Sequence, residues 1–66
     1  MDDNIRKRVG ERLKSLRTEK KISMRELAEK TGMNISNISR IENGKISPTL
    51  DVLDKLAQAL GTTIKL

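Results

Sequence analysis

The chain of 66 residues has no cysteine, no histidine and no aromatic residue, and only a single proline. Without cysteine there is neither a disulfide framework nor a thiolate metal site, and redox chemistry says nothing of the compartment. Without histidine the usual zinc sites and the commonest general base are missing too. Without Phe, Trp or Tyr there is no aromatic platform for unpaired bases, which excludes the typical single-strand and base-stacking RNA modules. No apolar run nears the roughly 20 residues that span a bilayer, and no hydrophobic leader core precedes the charged start. The expectation is a cytoplasmic chain with no membrane partner. Neither an enzyme nor a metal or cofactor site is expected, because the remaining acids sit at caps or beside basic residues, where surface pairing accounts for them.

What is present is helix-forming and basic. There are 14 Lys+Arg against 9 Asp+Glu, a net charge of +5, with 35% hydrophobic and 35% charged residues. The excess positive charge favours polyanionic partners. A chain this short buries only about 60% of the surface its unfolded form exposes, so it is read as one domain, 1–66, with one core. Gly10, Gly32, Gly44, Pro48 and Gly61 punctuate it.

Between these marks the apolar residues recur at helical spacing. Ile5, Val9, Leu13 and Leu16 form one stripe of a helix from about Ile5 to Lys20. Asp2, Asp3 and Asn4 before it offer an N-cap and suit the positive end of the helix dipole. Gly10, inside that helix, costs about 1 kcal/mol against alanine and marks a close approach. Ser23 with Glu26 reads as a capping box opening a short helix through Thr31, stopped by Gly32. Asn34 caps a third helix to Glu42, with Ile38 and Ile41 inward and Asn43-Gly44 as its end. So short a joint between two helices is a helix-turn-helix layout at about 23–42. Thr49 caps a fourth helix with Leu50, Leu53, Leu56, Ala57 and Leu60 on its apolar face, ending at Gly61. In the tail 62–66, Ile64 and Leu66 alternate as in a strand, which would need a partner copy to pair with or would fray.

The run from Ser23 to Lys45, with Leu27-Ala28, Gly32 and Ile38…Ile41-Glu42-Asn43-Gly44 in register, resembles the helix-turn-helix of the lambda-repressor and Cro family (the XRE class). Leu13-Lys14-Ser15-Leu16-Arg17 upstream and Pro48…Leu50…Leu60-Gly61 downstream extend the likeness over nearly the whole chain. It implies an all-α domain of four to five helices, with a short C-terminal strand used in a dimer as one reading of the tail. It also implies a sequence-specific double-stranded DNA-binding transcriptional regulator of prokaryotic or phage origin. Such a protein would act, most simply as a repressor, as a homodimer on a palindromic operator with Ile64 and Leu66 in the dimer interface.

The resemblance places Asn34, Ile35, Ser36 and Arg40 at base edges. It places Met24, Arg25, Asn37, Asn43 and Lys45 at phosphates, Asn43 through the backbone amides of the helix end. Met24 stands where many relatives carry a glutamine, and a thioether cannot brace a backbone as an amide does. Ile35 either joins the core stripe with Ile38 or faces the groove against a thymine methyl. Arg40 and Lys45 have plainer readings as solvated surface charges. Arg17 and Glu42 correspond to the family's structural ion pair. Two other functions stay open: an antitoxin that binds a toxin and represses its own operon, and a protein-interaction module without DNA binding.

Overall fold

The computed structural model describes residues 3–63, which form α1 (Asp3–Glu19), α2 (Met24–Thr31), α3 (Ile35–Glu42) and α4 (Leu50–Ala59). The predicted tail strand with Ile64 and Leu66 lies outside the described residues. The first helix begins earlier than its apolar stripe suggests: Asp3 and Asn4 are inside α1, not ahead of it.

The other starts follow the predicted caps. Ser23 Oγ accepts from the Glu26 amide at 3.0 Å, and Thr49 Oγ1 from the Val52 amide at 3.1 Å. Only the serine half of the capping box is made, since among the described residues Glu26 sends no bond back to Ser23. At the other end of α2, Gly32 takes φ 71°, and the Met33 amide donates to Ala28 O at 3.1 Å. The chain thus turns into Asn34 within two residues. At the end of α1 the same left-handed position is held by Lys21, at φ 58°. The Ile22 amide donates to Arg17 O at 3.0 Å, so the closing bonds are made despite the absent glycine.

The core is wholly aliphatic: Leu13 from α1, Leu27 from α2, Ile38 and Ile41 from α3, and Leu56 and Leu60 at α4 and its end. Each such side chain, fully buried, contributes roughly 1.5–3 kcal/mol. Val9, Leu16 and Leu53 pack against it half-buried, whereas two members of the predicted stripes neither belong to it nor pack on it. Ile5 is 44% and Leu50 69% exposed, each in or near the first turn of its helix, where no described neighbour covers it. Helix α1 packs on α3, α3 on α2, and α2 on α4, while α1 and α4 leave an open groove of about 680 Å³ between them.

Gly10 has the close approach that its place in a helix suggests. A Cβ there would lie 2.6 Å from Glu42 O and against Ile41 O as well, so the α1 backbone rests directly on the last turn of α3. That contact fixes where α3 stands.

Candidate nucleic-acid interface

At about 100° per residue, a surface helix with polar residues on one side turns a single, largely apolar arc inward. Ile38, Ile41 and Glu42 occupy that arc in α3. Ser36, Asn37 and Arg40 stay exposed on the opposite side, with Ser39 half-buried and Ile35 at the margin. The exposed strip is short and polar apart from one long guanidinium, a shape that enters a groove about 12 Å wide.

Several polar side chains on and beside this strip are already hydrogen-bonded locally. Asn34 Oδ1 accepts from the Ser36 amide at 2.7 Å, which makes Asn34 the cap of α3. Arg40 Nη1 donates to Asn37 Oδ1 at 3.2 Å, one turn earlier on the same face. Asn43 Nδ2 donates to Ser39 Oγ at 3.3 Å. The expected route to phosphate through amides at the end of α3 is closed. The Asn43, Gly44 and Lys45 amides donate to Ser39 O, Ile41 O and Arg40 O at 3.0, 3.1 and 2.9 Å. The physical reason is the helix-closing turn at Gly44, with φ 71°, which uses those donors on the helix's own carbonyls. Any contact at Asn43 therefore falls to its side chain.

The flanking positions divide. Arg25, in the first turn of α2, and Lys45, just after α3, are exposed cations. Met24 is half-buried and packed against the core, so the space where a bracing amide would stand is filled by a thioether turned inward. The N-terminal amides of Met24, Arg25 and Ile35 keep no described acceptor, as the first amides of a helix do. Among the described residues no group of acids could hold a metal ion, and no helix is long and apolar enough to cross a membrane.

Arg17 and Glu42 hold this face in place. Arg17 Nε donates to Glu42 Oε2 at 2.7 Å and Nη2 to Oε1 at 3.0 Å, with side chains only 10% and 4% exposed. The third donor, Nη1, reaches Ile22 O at 2.9 Å. The hydrogen bond to Glu42 raises the Arg17 pKa above the ordinary arginine value against the opposing effect of burial, and the guanidinium stays charged. One side chain thus ties α1 to the end of α3 and to the loop before α2.

Thr31 is a positioning residue the sequence reading did not single out. Its hydroxyl donates to Leu27 O at 2.8 Å and accepts from the Met33 amide at 3.3 Å, clasping the turn between α2 and α3. A threonine directly before the stop glycine of a helix was the available signal.

A family model described as "Helix-turn-helix" matches residues 13–66. The chain belongs to the helix-turn-helix family of the lambda-repressor and Cro type. Relatives include the immunity repressor protein of Bacillus phage phi105, 38% identical over 56 residues that make up 85% of this chain and 39% of that protein. The HTH-type transcriptional repressor RghR of Bacillus subtilis (strain 168) is 46% identical over 52 residues, 77% of this chain and 38% of RghR. The chain therefore spans about two-fifths of the length of these repressors. Among solved structures, the clp gene regulator ClgR from C. glutamicum superposes with a TM-score of 0.87 at 30% identity, covering 89% of this chain and 76% of that one. The restriction-modification controller protein C.AhdI from Aeromonas hydrophila gives a TM-score of 0.86 at 34% identity, covering 89% of each chain. The names these proteins carry are those of repressors, a gene regulator and a controller protein, not of enzymes.

Proposed function

We propose that this chain is a cytoplasmic transcriptional regulator that binds double-stranded DNA as a homodimer on a palindromic operator and represses by occupying the promoter. The observation that carries the reading is α3. Its Ile38–Ile41 side is buried and its Ser36–Asn37–Arg40 side exposed, while an ion pair and a glycine contact fix its last turn against α1. Arg40 addresses guanine with the guanidinium donors left beyond its bond to Asn37. Ser36 and Asn34, through its amino group, reach other base edges. Arg25, Lys45 and the side chains of Asn37 and Asn43 lie against phosphates, and the net charge of +5 supports the electrostatic share of affinity.

The two-fold arrangement places two α3 helices in successive major grooves about 34 Å apart. The dimer contact is assigned to α4 and the tail, through Ile64 and Leu66; the exposed Leu50 and the open groove beside α4 support that assignment. Selection from a random duplex pool at near-physiological salt tests the reading. Enrichment of a palindrome with that half-site spacing is the expected result. Loss of all duplex affinity at low salt would overturn it. Removal of Thr62–Leu66 is expected to weaken the dimer in light scattering, and an unchanged dimer would refute the role of the tail.

A further inference from the structure

An asparagine side chain is open to attack by the backbone nitrogen of the residue that follows it, and a bulky follower slows that attack. The chain has four asparagines. Asn4, Asn34 and Asn37 each precede isoleucine, whose branched Cβ crowds the nitrogen, and only Asn43 precedes glycine. The fold imposes that glycine. Gly44 has φ 71°, a left-handed conformation that strains other residues, and a Cβ there would lie 2.9 Å from Lys7 Cγ and 3.0 Å from Lys7 Cα. The packing of α1 thus keeps an unhindered nitrogen next to an exposed asparagine. In the closed turn that nitrogen is occupied, because the Gly44 amide donates to Ile41 O at 3.1 Å and the Lys45 amide to Arg40 O at 2.9 Å. The side-chain amide is held less firmly, with Asn43 Nδ2 at 3.3 Å from Ser39 Oγ. Protection therefore rests on a helix end, which opens at lower cost than a helix interior.

We propose that Asn43–Gly44 is a modification site at which the protein deamidates itself when this turn opens, and that the change retires the chain from DNA. In the open turn the Gly44 nitrogen gives its proton to hydroxide and attacks Asn43 Cγ. The N–Cγ bond forms, the Cγ–Nδ2 bond breaks, and Nδ2 leaves as ammonia after taking a proton from water. Water then adds to the succinimide ring. Opening at one carbonyl leaves aspartate at position 43, and opening at the other leaves isoaspartate, whose main chain is longer by one carbon. Either product puts a carboxylate at the C-terminal end of α3, where the helix dipole disfavours it, and lowers the net charge of +5 by one. Isoaspartate also lengthens the chain directly beside Glu42, the residue on which Gly10 rests. The consequence for DNA rests on the duplex-binding reading above: a side chain assigned to phosphate would then repel it.

The test holds the full chain in warm, mildly alkaline buffer, folded or in urea, and follows it by peptide mapping in a mass spectrometer. In the folded protein Asn43 should convert while Asn34 and Asn37 keep their amides. The rate should be about thirtyfold below that in urea, the protection given by two ordinary backbone hydrogen bonds. Conversion of Asn34 or Asn37 as fast as Asn43 overturns the proposal. So does a folded chain that keeps the Asn43 amide through an incubation roughly a thousandfold longer than the one needed in urea. Converted protein should bind selected and random duplexes about tenfold more weakly than fresh protein, and unchanged affinity overturns the retirement from DNA. Asn43→Gln, whose longer side chain closes a ring far more slowly, should keep its own starting affinity through the same incubation. An equal decline in that variant overturns the assignment to Asn43. Mapping needs no duplex, so absence of duplex binding at low salt overturns the proposed function and the DNA consequence together, while mapping alone decides the site.

Discussion

Replacing Gly10 by alanine sets two effects of opposite sign against each other. In a helix interior alanine is favoured over glycine by about 1 kcal/mol, so propensity alone predicts a more stable protein. The packing predicts the reverse. The new Cβ would stand 2.6 Å from Glu42 O and 2.9 Å from Glu42 C, and both are backbone atoms that cannot swing aside. Relief requires α1 and α3 to part by most of an ångström. Overpacking of this kind costs roughly 1–3 kcal/mol, and with backbone on the receiving side we expect the upper end. The net is a loss of about 2 kcal/mol, or roughly 8–16 °C in Tm for a domain of this size. With no aromatic residue in the chain, unfolding is followed by far-ultraviolet circular dichroism in urea and on heating. Ser15→Ala, at an exposed position of the same helix, is the control and should be neutral or slightly stabilising. A Gly10→Ala protein more stable than the parent would refute the close α1–α3 contact.

Other substitutions probe separate features. Glu42→Ala leaves Arg17 charged and buried with only Ile22 O to bond; we expect a loss of about 3–5 kcal/mol, from a third to all of the roughly 3–10 kcal/mol available to a chain of this length. The double variant Arg17→Met, Glu42→Leu should recover much of that loss in urea melts, and additive losses would count against a coupled pair. Lys21→Gly should raise stability by about 1 kcal/mol by removing a side chain from left-handed backbone, whereas a lower melting temperature would show that Lys21 makes compensating contacts. Arg40→Ala should relax discrimination at one base-pair position. Lys45→Ala should weaken all duplexes alike and lower the salt slope by about one. Equal behaviour of these two variants on selected and random DNA would contradict the division of roles.

The sequence shows its helices more clearly than their surroundings. The cap residues Ser23, Asn34 and Thr49 and the stop at Gly32 have a local cause, and the structure has them where local chemistry puts them. Ile5 and Leu50 show the limit: periodicity tells which side of a helix is apolar, not whether a neighbour reaches that turn. Lys21 in left-handed backbone has no composition signal, because the closing bonds of α1 impose the conformation on whatever residue stands there. The Arg17–Glu42 pair joins positions 25 residues apart and was legible only through the family likeness. In the candidate site the residue types and the Asn34 cap were readable, but the commitment of Asn37 and Asn43 to local partners was not. Short amides have several acceptors and donors within reach, and geometry chooses among them.

The anchoring of α3 at its last turn has a mechanical consequence. A helix of eight residues that is braced by a buried ion pair and a backbone contact behaves as a stiff peg, with no hinge of its own to absorb misfit if it is the element that enters the groove, as proposed. When such a peg meets a duplex whose groove is too narrow or wrongly inclined, the softer body yields, and that body is the DNA. Flexible steps next to a binding site would then raise affinity without being touched, because bending them is cheap. Preference at untouched positions would be the signature of protein rigidity written into the duplex.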